Sequence, residues 1–304
     1  MNTQTQTSPL HDNACIATAS FSQWRPKIVD KKISREVSAQ HGTDENAGDF
    51  LKQLFPTTKN GKDTVQTYPE LHAVLGALAS LYQWHASNTL VWDGKGRRLL
   101  PAVSADEHKA RFDAVIANLP CLLDAMEAGY FAAMERARVA LNGMFRERDY
   151  PTPGELRAKF AVSVVYDPVP QVVTSNLPAS VLGLINSQIE NRVTAATEGA
   201  MNDAWARLYS CVEKFQAKLS TPGAIFRDSL VGNLREVTDV LKRLNVTGSA
   251  ELEAMRAKVQ TELAKYDPET LRDNENLRLQ VADTASNVLS AIRGTRTISK
   301  VEDD

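Results

Sequence analysis

The chain has 304 residues, 43% of them hydrophobic and 24% charged, with a formal net charge of −2 at pH 7. That length and apolar content suit one or two folded domains and exclude a disordered chain. The near-neutral balance excludes a global attraction to nucleic acid or anionic membranes and leaves only local patches. Three cysteines, Cys15, Cys121 and Cys211, are odd in number and far apart, so they form neither a disulfide framework nor a paired metal motif. With no secretory signal pattern at the N-terminus and no run near the ~18 apolar residues of a membrane span, the expected location is the cytoplasm.

Residues 1–20 carry many Thr, Ser, Gln and Asn and little apolar periodicity, and are expected to be disordered. Ile28, Ile33 and Val37 suggest a short helix ending near Gly42. Asp44 is placed to cap a second one containing Phe50, Leu51 and Leu54, which Pro56 stops. After a polar loop over 57–67, Pro69 opens a helix whose Leu71, Val74, Leu75, Leu78 and Leu81 form a buried face. The connector over 89–101 contains Asp93-Gly94, a hairpin turn signal.

Ser104 and Glu107 match a capping box and start a helix that reaches about Phe145, with a kink or short break expected at Pro120. Thr152 and Glu155 form a second capping box. The β-branched run over 161–166 is the best strand candidate, with the 89–100 connector as its expected partner.

Residues 179–220 hold a helical rhythm with no proline inside, predicting a helix roughly 60 Å long. Trp205, Leu208, Val212, Phe215 and Leu219 form one apolar stripe. Leu230, Leu234, Val237, Leu241 and Leu244 alternate steps of four and three, as in a coiled-coil seam. Further helices follow from near Ser249 and from Asp267-Pro268. The expected fold is mainly α, an elongated helical bundle with long coiled-coil-like antiparallel helices and a small β element. The expected division is a disordered start over 1–20, an N-terminal helical region with the β element over 21–170, a long-helix bundle over 171–293 and a flexible tail over 294–304.

Among residues that could carry chemistry, Lys95, Arg97 and Arg98 sit beside two glycines in a turn, and Lys31, Lys32, Arg35 and Trp92 add cations and an aromatic ring in the same half. Cations tracking phosphates with rings stacking on bases would hold a single strand. A plain basic turn fits as well, since no GxxxxGK[ST] motif is present. The five histidines show no metal-ligand spacing, His72 and His85 read as surface or satisfied core groups, and Cys121 and Cys211 read as inert core residues. No cofactor or metal is expected, and no nucleophile or kinase signature appears.

The runs Leu90-Val-Trp-Asp-Gly-Lys-Gly-Arg-Arg-Leu-Leu-Pro101, Asp149-Tyr-Pro-Thr-Pro-Gly-Glu-Leu-Arg-Ala-Lys-Phe160 and Pro168-Val-Pro170 look like hallmarks of uncharacterised tailed-bacteriophage proteins. The order of elements over 20–295 resembles a domain family of unknown function in phages and proteobacteria, encoded beside MoxR-type AAA+ ATPases and von Willebrand factor A proteins. That resemblance implies a phage accessory protein in the bacterial host cytoplasm, acting through partners such as an AAA+ ATPase. It brings no catalytic residues.

The leading expectation is a non-enzymatic interaction or self-assembly protein whose seam, Trp205, Leu208, Val212, Phe215, Leu219, Leu230, Leu234, Val237 and Leu241, closes an internal bundle or joins copies. The alternative is a nucleic-acid binder using Lys31, Lys32, Arg35, Lys95, Arg97, Arg98 and Trp92. A hydrolase would need a buried carboxylate or histidine cluster.

Overall fold

A computed structural model describes residues 9–43, 48–60, 63–93, 96–223 and 225–295. The chain is mainly helical with a small antiparallel sheet. Its elements in order are α1 (Pro9–Asn13), β1 (Ala14–Ser22), β2 (Lys27–Val29), α2 (Lys31–His41), β3 (Leu51–Gln53), β4 (Thr57–Asn60), β5 (Asp63–Gln66), α3 (Pro69–Ser87), β6 (Leu90–Val91), β7 (Arg97–Pro101), α4 (Ala105–Leu141), α5 (Pro153–Arg157), β8 (Ala161–Pro168), α6 (Ala179–Ser220), α7 (Ser229–Leu244), α8 (Ala250–Glu262), α9 (Pro268–Asp273) and α10 (Glu275–Thr295). Among the described residues no helix is long and apolar enough to cross a membrane.

Two compact units interleave along the chain. One takes residues 1–19, 84–108 and 165–304, and the other takes 20–83 and 109–164. This differs from a division near 170, because β6 and β7 pack against α6 and α7, and β1 joins them by pairing with β7. In the first unit β1 lies antiparallel to β7, with Ala14 opposite Pro101 and Thr18 opposite Arg97, and β6 pairs on the other side of β7. Residues 9–20, expected to be disordered, therefore supply α1 and a paired strand whose Ala14, Ile16 and Ala17 are buried. Residues 1–8 lie outside the description, as do 296–304 of the expected tail, while 294 and 295 still belong to α10.

The sheet order is β6-β7-β1-β8. The strand expected over 161–166 is present as β8, but its neighbour is β1 and not the 89–100 connector. That connector folds on itself as the β6–β7 hairpin.

Helix α6 packs against α7 and α10. Its run against α7 is antiparallel: Thr247, just past α7, reaches Met201, while Lys218 and Leu230 line one cleft at the other end. Trp205, Leu208, Val212, Phe215 and Leu219 are all buried here, with Leu234 and Leu241, and Leu230 and Val237 pack partly against the same core. The helix starts downstream follow local chemistry. Ser249 accepts from the Leu252 N–H, and Asp267 accepts from Glu269 and Thr270 N–H groups ahead of Pro268.

The second unit is built around an aromatic cluster. Phe55 sits 4.7 Å from Tyr68 and 5.3 Å from Tyr150, and the Tyr68 and Tyr150 hydroxyls donate to the Met126 and Leu54 carbonyls. Helix α4 continues through Pro120 with no break. Leu119 and Leu123 on either side are both buried in this core, and that packing offsets the donor that proline lacks. Cys121, on the other face, is exposed and not a core residue.

The expected helix around Phe50, Leu51 and Leu54 is absent. Leu51 belongs to β3, paired with Val29 of β2, and its proposed cap Asp44 lies outside the described residues. The expected loop over 57–67 holds the β4–β5 hairpin, with Thr57 opposite Gln66. At the second capping box, the Thr152 hydroxyl accepts from the Glu155 N–H and the Glu155 carboxylate accepts from the Thr152 N–H, as expected.

Strand β3 is tied to the unit by a buried ion network. The Lys52 side chain is 1% exposed, and its Nζ donates to Asp149 Oδ2 (2.5 Å) and the Met144 carbonyl (3.1 Å) and lies 3.4 Å from Asp30 Oδ2. Asp30 also caps α2. Burial pushes the Asp30 carboxyl up, but the Ile33 N–H, Lys52 and Arg146 outweigh burial and hold it below its ordinary value. Removing the cation strands buried carboxylates, so Lys52→Met is expected to destabilise the fold by about 3–5 kcal/mol, read from the denaturant midpoint. A loss under 1 kcal/mol would show that the network contributes little.

Candidate functional site

The end of α3 is the most heavily tied point of the first unit. The last carbonyls of a helix have no partner within it. Here Arg98 of β7 donates to the carbonyls of Ala86 and Thr89, each at 2.9 Å. Arg207 of α6 donates to Ala86, Ser87 and Thr89 at 3.0, 2.7 and 2.8 Å and is itself paired with Asp203. Arg243 of α7 reaches Asn88 Oδ1 and the Glu107 carboxylate. Cations at a helix C-terminus also complement its dipole.

Two buried histidines meet beside this point. His85 Nδ1 lies 2.8 Å from His108 Nε2, and His108 Nδ1 lies 2.9 Å from the Tyr166 hydroxyl. The line is self-consistent in both senses. Either Tyr166 donates to His108, which donates to His85, or every proton points the other way. Burial lowers His85 to about 3, with His108 and Arg98 adding to it, and burial lowers His108 to about 4. Both rings are neutral at pH 7. No sequence spacing marks this pair, because the end of α3 and the start of α4 bring together residues 23 positions apart.

Alongside runs a groove of about 970 Å³ between α6 and α7, closed at one side by Arg293 of α10. Its floor holds Ala206, Cys211, Val237, Val240 and Leu241, and its rim mixes Asp203, Glu213 and Glu236 with Arg207, Lys214 and Arg293. The Tyr209 hydroxyl accepts from Arg293 and donates to Glu213. Burial pushes the Cys211 thiol up to about 11, so it stays protonated at neutral pH and is a poor nucleophile.

The expected seam is closed inside the chain and offers little surface. The expected nucleic-acid residues do not form one built patch. Trp92 is 4% exposed and packs in the core, so it cannot stack on a base. Arg98 is committed to the α3 carbonyls and Thr89 Oγ1, and Arg97 is paired with Asp93. Lys95 lies outside the described residues. Lys31, Lys32 and Arg35 are exposed on α2, in the other unit, with Lys32 beside Glu36. No group of three or more potential metal ligands occurs among the described residues.

No motif marks the stretch leading into α6, and the apolar face that Val181 and Leu184 begin on the long helix stays in water. Every residue of 171–181 is exposed, Leu184 is 59% exposed, and residues 179–192 of α6 precede its first buried residue, Val193. The extended lead-in is fixed to the helix, since the Asn186 side chain bonds both the N–H and the carbonyl of Val173 at 2.9 and 3.1 Å. Compared with known proteins, the chain matches no family model, no curated protein and no solved structure.

Two outcomes test this geometry. Both histidines have folded values below the unfolded value near 6.5, so the unfolded chain binds more protons between about pH 4 and 6.5 and stability falls as pH drops through that window. The expected loss is about 2 kcal/mol per histidine at pH 5 relative to pH 7, read from denaturation midpoints. A His108→Phe variant is expected to flatten that slope. Arg207→Met, which leaves α3 carbonyls short of donors, is expected to cost about 1–3 kcal/mol. An unchanged unfolding midpoint would remove the arginine from the account.

Proposed function

We propose that the protein is a non-enzymatic accessory protein that works by protein–protein interaction or self-assembly, through the elongated, coiled-coil-like antiparallel helices of its C-terminal half. One observation carries the reading: an ordered, apolar, solvent-facing stretch leads into the longest helix, and exposed apolar surface of this kind marks interaction sites. Val172, Val173, Leu177, Val181 and Leu184 are its large exposed side chains. The groove beside α7, with an apolar floor and mixed-charge rim, supports the same reading, because that layout suits an amphipathic helix.

By its resemblance to phage proteins, the proposed setting is the bacterial host cytoplasm, and a MoxR-type AAA+ ATPase is the proposed class of partner. The expected outcome is that the purified chain either self-associates in sedimentation velocity or binds a stoichiometric protein partner. A monomer that binds no protein overturns the reading.

The second reading, nucleic-acid binding, is supported by the exposed cations of α2 alone. It predicts that a fluorescent single-stranded oligonucleotide binds more weakly as salt rises and that K31E/K32E/R35E abolishes binding. Absence of binding at low salt ends it.

A further inference from the structure

We propose that residues 171–188 form a self-complementary surface on which a second copy of this chain docks. The inference rests on the interaction reading above and names the partner of that surface. Four observations lead to a second copy.

The first is charge. Residues 168–189 contain no Asp, Glu, Lys, Arg or His, bounded by Asp167 and Glu190, in a chain of which 24% is charged. In a two-fold contact each residue near the axis meets its own counterpart, so any charge there faces a like charge. A neutral surface carries no such penalty against itself, and it also lacks the charge pattern that would select a different partner.

The second is extent. Within the neutral run, Val169 is buried and Ile189 packs on the core, which leaves 171–188, 18 residues that are exposed or half-buried, just under the roughly 20–30 residues a side of a stable interface. Residues 179–188 supply about 15 Å of helix, at 1.5 Å per residue, ahead of Ile189, which packs on the core. The third is shape. On the helix Val181 and Leu184 stand three apart, Ser180, Gly183 and Ser187 set small side chains beside them at steps of three and four, and Leu177 ends the lead-in just ahead, so two helices in antiparallel contact interleave large against small. A Cβ at Gly183 would meet nothing within this chain, so its own fold leaves that ridge open.

The fourth is preorganisation. The Asn186 clamp on Val173 already holds the lead-in against the helix, so docking orders little new chain.

The test is sedimentation velocity of the full chain over a concentration series, with thermal unfolding as the check on folding. The expected wild-type species is a dimer of the 33.5 kDa chain. V181D/L184D on the helix and V172D/L177D on the lead-in are each expected to raise the dissociation constant at least tenfold, about 1.4 kcal/mol, with the unfolding midpoint unchanged. A dimer that survives both pairs overturns the inference and leaves the self-assembly reading standing. A monomer that binds a different protein in stoichiometric amount overturns the inference and leaves the interaction reading standing. A monomer with no partner overturns both. Partition of the wild type, but not V181D/L184D, onto phosphatidylcholine vesicles also overturns the inference, because the face then serves a lipid surface.

Discussion

The first unit depends on satisfying the carbonyl end of α3. A buried helix terminus without donors costs free energy at each orphaned oxygen. Arg98 and Arg207 supply those donors from β7 and α6, and Arg243 adds a tie from α7 through Asn88 and Glu107. One electrostatic requirement thereby sets a strand and two helices against a common point. The same convergence buries His85 and His108 and holds them neutral. It also withdraws Arg98 from any external ligand.

Helix α6 divides into two parts with different physical tasks. From Val193 onward its apolar stripe is buried by α7 and α10 within the chain. Ahead of Val193 the helix continues with apolar residues that nothing in this chain covers to the same degree. An exposed, ordered and uncharged apolar stretch is costly to maintain in water, and the proposed docking of a second copy gives that cost a counterpart.

Local sequence chemistry was legible wherever a short-range signal had no competitor. The capping box at Thr152, the caps at Ser249 and Asp267 and the full bounds of α6 could be read directly, because each depends on groups a few residues apart. The hairpin at 57–66 also carried a signal, Asn60-Gly61 between Thr-rich runs, that polar composition obscured. Pro120 misleads for the opposite reason: a local breaker was outweighed by burial of Leu119 and Leu123.

The sequence by itself determined the helical class, the long helix and its apolar spacing, since a 3.6-residue period is written in consecutive residues. Only the tertiary structure decided that β1 pairs with β7, that the seam faces inward, that Trp92 is buried and that His85 meets His108. It also decided which part of α6 stays in water. Each of these depends on which distant segment supplies a donor, a strand edge or an apolar face, and no spacing along the chain records that choice.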